Sequence, residues 1–157
     1  LSLEQVDNSR LALYGFSMGA ATSVVVASER DDIICLVADS PFSSIEEITI
    51  HTLNQMLIPP ALVLTRLKKM FSKTFGKQME EFNSADVVNK IAPRPVLILG
   101  NREDRMVPFW QIEKVFQAAA EPKQFFVNDL GGHFANAETI ILDQQVIPFL
   151  KSALKLD

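Results

Sequence analysis

The feature that most restricts the fold is a pentapeptide, Gly15-Phe16-Ser17-Met18-Gly19. It sits between an apolar run, Leu11-Ala12-Leu13-Tyr14, and a stretch of small and apolar residues reaching Ala27. Gly-x-Ser-x-Gly between a strand and a small-residue helix is the context of a nucleophile elbow. Ser17 would then occupy a sharp turn with strained dihedrals, and Gly15 and Gly19 would let strand and helix approach closely. The N–H groups at the helix start, Met18 among them, would face the same space as the Ser17 hydroxyl and favour negative charge there. An ordinary turn between a strand and a helix is the competing reading of the same residues.

The rest of the chain alternates in the same manner. Residues 1–10 are polar and mixed, with 6–9 reading as a helix end or a loop, and the first strand spans 10–14. The helix from 18 to about 29 carries little polarity, which predicts packing on both of its sides. Residues 33–38 form an apolar run without alternation, the pattern of a strand buried on both faces of a parallel sheet. Two overlapping capping-box patterns in Ser43-Ser44-Ile45-Glu46-Glu47 start a helix that passes His51 toward residue 57 and is broken by Pro59-Pro60. Leu62, Leu64, Leu67, Met70 and Phe71 recur at helical spacing, marking a second amphipathic helix that serves as core contact or as a lid over an apolar pocket. Residues 80–91 read as one further short helix. A third buried strand spans 96–100, a helix beginning at Pro108 follows, and a fourth strand spans 124–127. The last helix runs from about 136 to 154, with Pro148 kinking or splitting it. Strands alternating with helices predict an α/β fold, a parallel sheet flanked by helices.

The 157 residues suit a single domain, 1–157, within which 45–91 is a helical insertion. A net charge of −4 and the lack of a basic run argue against a nucleic-acid partner. The one cysteine, Cys35, lies inside an apolar run, so a buried reduced thiol is expected. No apolar stretch is long enough for a transmembrane segment and no leader is visible, so a cytoplasmic protein is expected. The two histidines, His51 and His133, show no metal-ligand spacing, and no metal site is expected.

Three chemically capable residues, Ser17, Asp104 and His133, follow the carboxyl ends of strands, the edge of an open α/β sheet where ligands bind. Their order, serine then acid then histidine, matches a hydrolase triad. Glu103, Asp129 and above all Asp39 are rival acids, although Asp39 also reads as a loop cap. His51 reads as a surface or core-edge residue of its helix.

The stretches Gly15 to Ala20, Ala38-Asp39-Ser40-Pro41-Phe42, Pro95 to Gly100 with Asp104 and Val107-Pro108, and Gly131-Gly132-His133 together resemble the C-terminal half of an α/β-hydrolase-fold serine hydrolase. The resemblance is to the prolyl-oligopeptidase-like and extended-lid esterase branches. It implies that the first strand here is the fifth of eight, so the preceding four strands and the second oxyanion-hole N–H would come from before Leu1. It further implies Ser17 as nucleophile, His133 as base, Asp104 as the acid that orients it, the Met18 N–H as oxyanion donor, and no cofactor. The expected activity is cleavage of an ester, thioester or amide of a small acyl or peptide substrate through an acyl-enzyme. Acyl transfer by the same triad and a non-catalytic interaction domain are the alternatives. The first strand's open edge predicts a homo-oligomer or a separate N-terminal fragment completing the sheet.

Overall fold

The computed structural model describes residues 10–156; the reading of residues 6–9 as a helix end or loop lies outside them. Four strands, β1 (Leu11–Phe16), β2 (Ile33–Asp39), β3 (Val96–Asn101) and β4 (Lys123–Asn128), form one sheet in the order β1-β2-β3-β4. Every neighbouring pair is parallel. Parallel neighbours require crossover connections, and helices supply them: α1 (Met18–Glu29) after β1, α2 (Ile45–Gln55), α3 (Ala61–Phe75) and α4 (Ser84–Val87) after β2, α5 (Phe109–Ala118) after β3.

The central strands show why their sequence lacks alternation. On β2, Leu36 and Ala38 enter a core shared with Ala20, Val24 and Ala27 of α1 and with Ile112 and Val115 of α5. Cys35 and Val37 face the opposite way, with Leu97, Leu99 and Phe149. Both faces are therefore dry, and each position has to be apolar whichever way it points. Leu36, Ile98, Leu99 and Ile112 are fully buried; truncating any one to alanine costs about 2–5 kcal/mol. Cys35 is free and buried, and burial pushes its thiol up from the ordinary range.

One segment departs from the sequence reading, and a second refines it. Residues 80–91 are a 3-10 turn (Met79–Phe82), then α4, then a second 3-10 turn (Val88–Ile91), instead of one helix. The Ala85 N–H donates to the Ser43 carbonyl at 3.2 Å, so a backbone donor that a continuous helix would use is tied to the loop after β2, and the Ser84 hydroxyl, donating to the Phe42 carbonyl, fastens the chain to the same loop. The last helix carries the disruption expected at Pro148: α6 (Thr139–Ile141) passes through a π turn (Leu142–Val146) directly into α7 (Ile147–Leu154). Pro148 has no N–H for the Gln144 carbonyl and its ring crowds that carbonyl, so the ladder widens just before it.

Candidate active site

The carboxyl ends of all four strands open on one edge, and each contributes to the site. At the end of β1, Ser17 has φ 54° and ψ −118°, a strained conformation for a residue with a side chain. Its N–H donates to the Asp39 carbonyl at 2.8 Å, and its carbonyl accepts from Ala20 and Ala21 at 3.0 and 3.1 Å. The turn is thus held from β2 and from α1 at once. A Cβ on Gly15 would lie 2.4 Å from the Gly19 carbonyl oxygen and 2.5 Å from Ser23 Oγ, so this glycine permits the close approach. Gly19 differs from the sequence reading: a Cβ there meets nothing within 4 Å among the described residues. The Met18 and Gly19 N–H groups have no acceptor among the described residues, as expected of the first turn of a helix with no capping side chain.

After β3, Asp104 is buried and fully engaged. Its Oδ1 accepts from the Met106 and Val107 N–H groups at 2.8 and 2.9 Å, and its Oδ2 lies 2.6 Å from His133 Nδ1. A carboxylate accepts and does not donate, so Nδ1 carries the proton of this contact, and in the neutral imidazole Nε2 is then the nitrogen with the free lone pair. After β4, Gly131 and Gly132 adopt φ 75° and 91°, bending the loop so that His133 reaches back. The imidazole packs on the Phe16 ring at 4.7 Å between centroids, one residue before Ser17, and Phe134 adds a third ring. Among the described residues no hydrogen bond joins Ser17 Oγ to His133; such bonds often tighten only when substrate is bound.

Of the rival acids, Asp129 is exposed and pairs with Arg102 at 3.1 Å, and Glu103 is exposed. Asp39 is buried in a network of its own: Asn136 Nδ2 donates to it at 2.6 Å, the Tyr14 hydroxyl at 3.1 Å and the Ser40 hydroxyl at 3.2 Å. Burial pushes the Asp39 carboxyl up, outweighing these three bonds, which pull the other way. Burial also raises the Tyr14 phenol, and the Asp39 charge adds to it. His51 stands on α2 with Nε2 3.1 Å from the Arg105 carbonyl, tying that helix to the loop after β3.

Sequence reasoning missed the buried asparagines. Asn101 closes β3 and its Nδ2 donates to the Gly132 carbonyl at 2.6 Å, while its Oδ1 accepts from the Glu103 N–H at 2.9 Å. One side chain therefore ties the aspartate loop to the histidine loop. Asn128 closes β4 and donates to Asn136, which in turn holds Asp39. A recognisable signal was present: two neighbouring strands each end on asparagine just before a chemically capable loop.

Comparison with known proteins agrees with this architecture. Protein YfhR of Escherichia coli (strain K12) is 26% identical over 154 residues, covering 95% of this chain and 48% of that protein. Protein Rv2307c of Mycobacterium tuberculosis (strain H37Rv) is 33% identical over 129 residues, covering 82% of this chain and 39% of that protein. The chain therefore spans about half the length, or less, of these curated relatives. Among solved structures, the Pyrococcus furiosus esterase Pf2001 superposes with a TM-score of 0.69 at 23% identity, over 93% of this chain and 54% of that one. A puromycin-hydrolyzing peptidase of Mycobacterium tuberculosis superposes with a TM-score of 0.72 at 23% identity, over 97% and 23%. The fold is that of the α/β hydrolases. The model of the prolyl oligopeptidase family matches residues 1–156, and the chain belongs to that family.

Proposed function

We propose that the protein is a serine hydrolase that cleaves an ester, thioester or amide through an acyl-enzyme. The observation that carries the reading is the 2.6 Å contact of Asp104 with His133 Nδ1, which leaves Nε2 as a base on the ring packed beside the strained Ser17 turn. Ser17 Oγ attacks the carbonyl carbon while its proton passes to Nε2; the oxygen, now negative, accepts from the Met18 N–H. Collapse breaks the bond to the leaving group, which takes the proton from Nε2. Water then attacks the acyl-enzyme, gives its proton to the same nitrogen, and the acid is released as Ser17 recovers it. Ile48, Thr52 and Gln55 of α2 line the cavity that holds Ser17, which supports reading residues 45–91 as a lid. Similarity in fold to an esterase and to a peptidase is consistent with acyl chemistry on either an ester or an amide. For assembly, the proposal is that a further strand completes the outer edge of β1, from a second copy or a separate segment.

The test is covalent labelling of the full-length protein by a fluorophosphonate probe, with mass-spectrometric assignment of the modified residue. Labelling at Ser17, lost in His133→Ala, supports the reading. A folded protein that is not labelled, or is labelled elsewhere, overturns it. Ser17→Ala and His133→Ala should each lower p-nitrophenyl ester turnover by a factor on the order of 10⁴ or more.

A further inference from the structure

Three cavities near Ser17 adjoin through shared wall residues. The one containing Ser17 has a volume of about 220 Å³ and is walled by Phe42 and by Met106. Met106 also walls a cavity of about 460 Å³ that contains His133 together with the charged Glu103 and Arg105. Phe42 also walls a groove of about 440 Å³ between α1 and the side chains of Phe71, Phe75 and Phe82.

The groove has an unusual wall. Met18, Ala21, Thr22, Val25, Val26 and Glu29 recur at spacings of three and four, one stripe along the whole of α1. It runs roughly 16 Å, from the residue after Ser17 to the end of the helix, at about 1.5 Å of rise per residue. This stripe accounts for the lack of a polar face on α1: one side packs on the sheet and the other lines the groove. The polar groups along it are already engaged, since Thr22 Oγ1 donates to the Met18 carbonyl at 2.9 Å and Glu29 pairs with Lys77 at 3.7 Å. The opposite wall is an aromatic cluster, with Phe71 4.6 Å from Phe75 and 5.1 Å from Phe82 between centroids.

Proton transfer sets the direction of a substrate across these cavities. His133 protonates the leaving group, so the leaving group lies on the His133 side, against Glu103 and Arg105. The acyl part extends the other way, past Phe42. A peptide laid in the groove would strand its N–H and C=O groups against apolar walls, whereas a hydrocarbon chain loses no hydrogen bonds there. We infer that the groove along α1 is the acyl-chain subsite, taking a straight, medium-length alkyl chain, with a polar leaving group held on the His133 side. The inference rests on Ser17 being the nucleophile.

The test uses the full-length protein and p-nitrophenyl esters from acetate to dodecanoate. Wild-type kcat/KM should rise at least about tenfold between acetate and decanoate, and the decanoate-to-acetate ratio should fall at least about tenfold in Val26→Trp, which fills the groove. Phe75→Ala, at an exposed wall position, should move the preferred length upward and gives the same information if Val26→Trp does not fold. Calorimetric binding of dodecanoate to the Ser17→Ala protein reads the groove without turnover, and Val26→Trp should weaken it. Ser17-dependent turnover with no chain-length preference, together with no dodecanoate binding, overturns the subsite and leaves the hydrolase reading standing. Dodecanoate binding that Val26→Trp weakens, in a protein that cleaves no ester, overturns the nucleophile and retains the groove as an alkyl-chain site.

Discussion

Asp104 Oδ2 and His133 Nδ1 lie 2.6 Å apart across 29 positions of sequence, because β3 and β4 are parallel neighbours whose carboxyl ends release both loops on the same side. Of the candidate acids, Asp104 is the one in hydrogen-bond contact with His133 among the described residues. Asp104→Asn should lower kcat on a p-nitrophenyl ester by a factor on the order of 10⁴, because the amide cannot hold the Nδ1–H tautomer. Asp39→Asn should lower it far less, since Asp39 is engaged by Asn136, Tyr14 and Ser40. The opposite ranking would transfer the orienting role to Asp39.

Asn101 ties the end of β3 to the loop that carries His133. Asn101→Ala removes the bond to the Gly132 carbonyl and frees the loop that carries His133, so kcat should fall by roughly 10²-fold. KM for a small ester should change much less. Steady-state kinetics separates the two, and a loss confined to KM would show that Asn101 does not act through His133.

The two glycines of the elbow should behave oppositely. Gly15→Ala drives a Cβ to 2.4 Å from the Gly19 carbonyl oxygen, an overpacking that costs about 1–3 kcal/mol or more. Gly19→Ala meets no neighbour within 4 Å among the described residues and should stabilise α1 by roughly 0.5–1 kcal/mol. Urea denaturation of the two variants checks both signs.

Asp39 makes stability depend on pH in a stated direction. Its folded-state pKa is raised, first by burial, so its contribution is fully present below the ordinary carboxylate range and is lost as pH rises through the folded value. Asp39→Asn carries no such charge. The stability of Asp39→Asn relative to wild type should therefore increase between about pH 4 and about pH 7. A relative stability that decreases over that interval in urea titrations would contradict the assignment.

The outer edge of β1 bears on assembly. Among the described residues β1 ends the sheet on one side, and Tyr14 on it is 44% exposed. Unpaired N–H and C=O groups along such an edge recruit another strand. The 157-residue chain at micromolar concentration should scatter light as a dimer or larger species, with β1 paired across a two-fold axis, unless a separate strand-bearing segment is added. A well-folded monomer with nothing bound would refute this.

What the sequence determined by itself was local. The apolar runs of β2 and β3, the Ser44 cap of α2, whose hydroxyl accepts from the Glu47 N–H at 3.4 Å, and the disruption before Pro148 follow from neighbours a few residues apart. The sharp turn at Ser17 and the glycine bend before His133 were also legible, because a glycine-flanked serine after a strand and a Gly-Gly-His after another are patterns within single loops. Tertiary structure decided the rest. Which acid meets His133, whether Gly15 or Gly19 is pressed by a neighbour, and why residues 80–91 break into three turns all depend on the paths of chain segments far apart in sequence. Asn101, Asn136 and the shared walls Phe42 and Met106 belong to the same class. Their partners lie on other strand ends, and only the parallel packing of β1 to β4 brings those ends to a common edge.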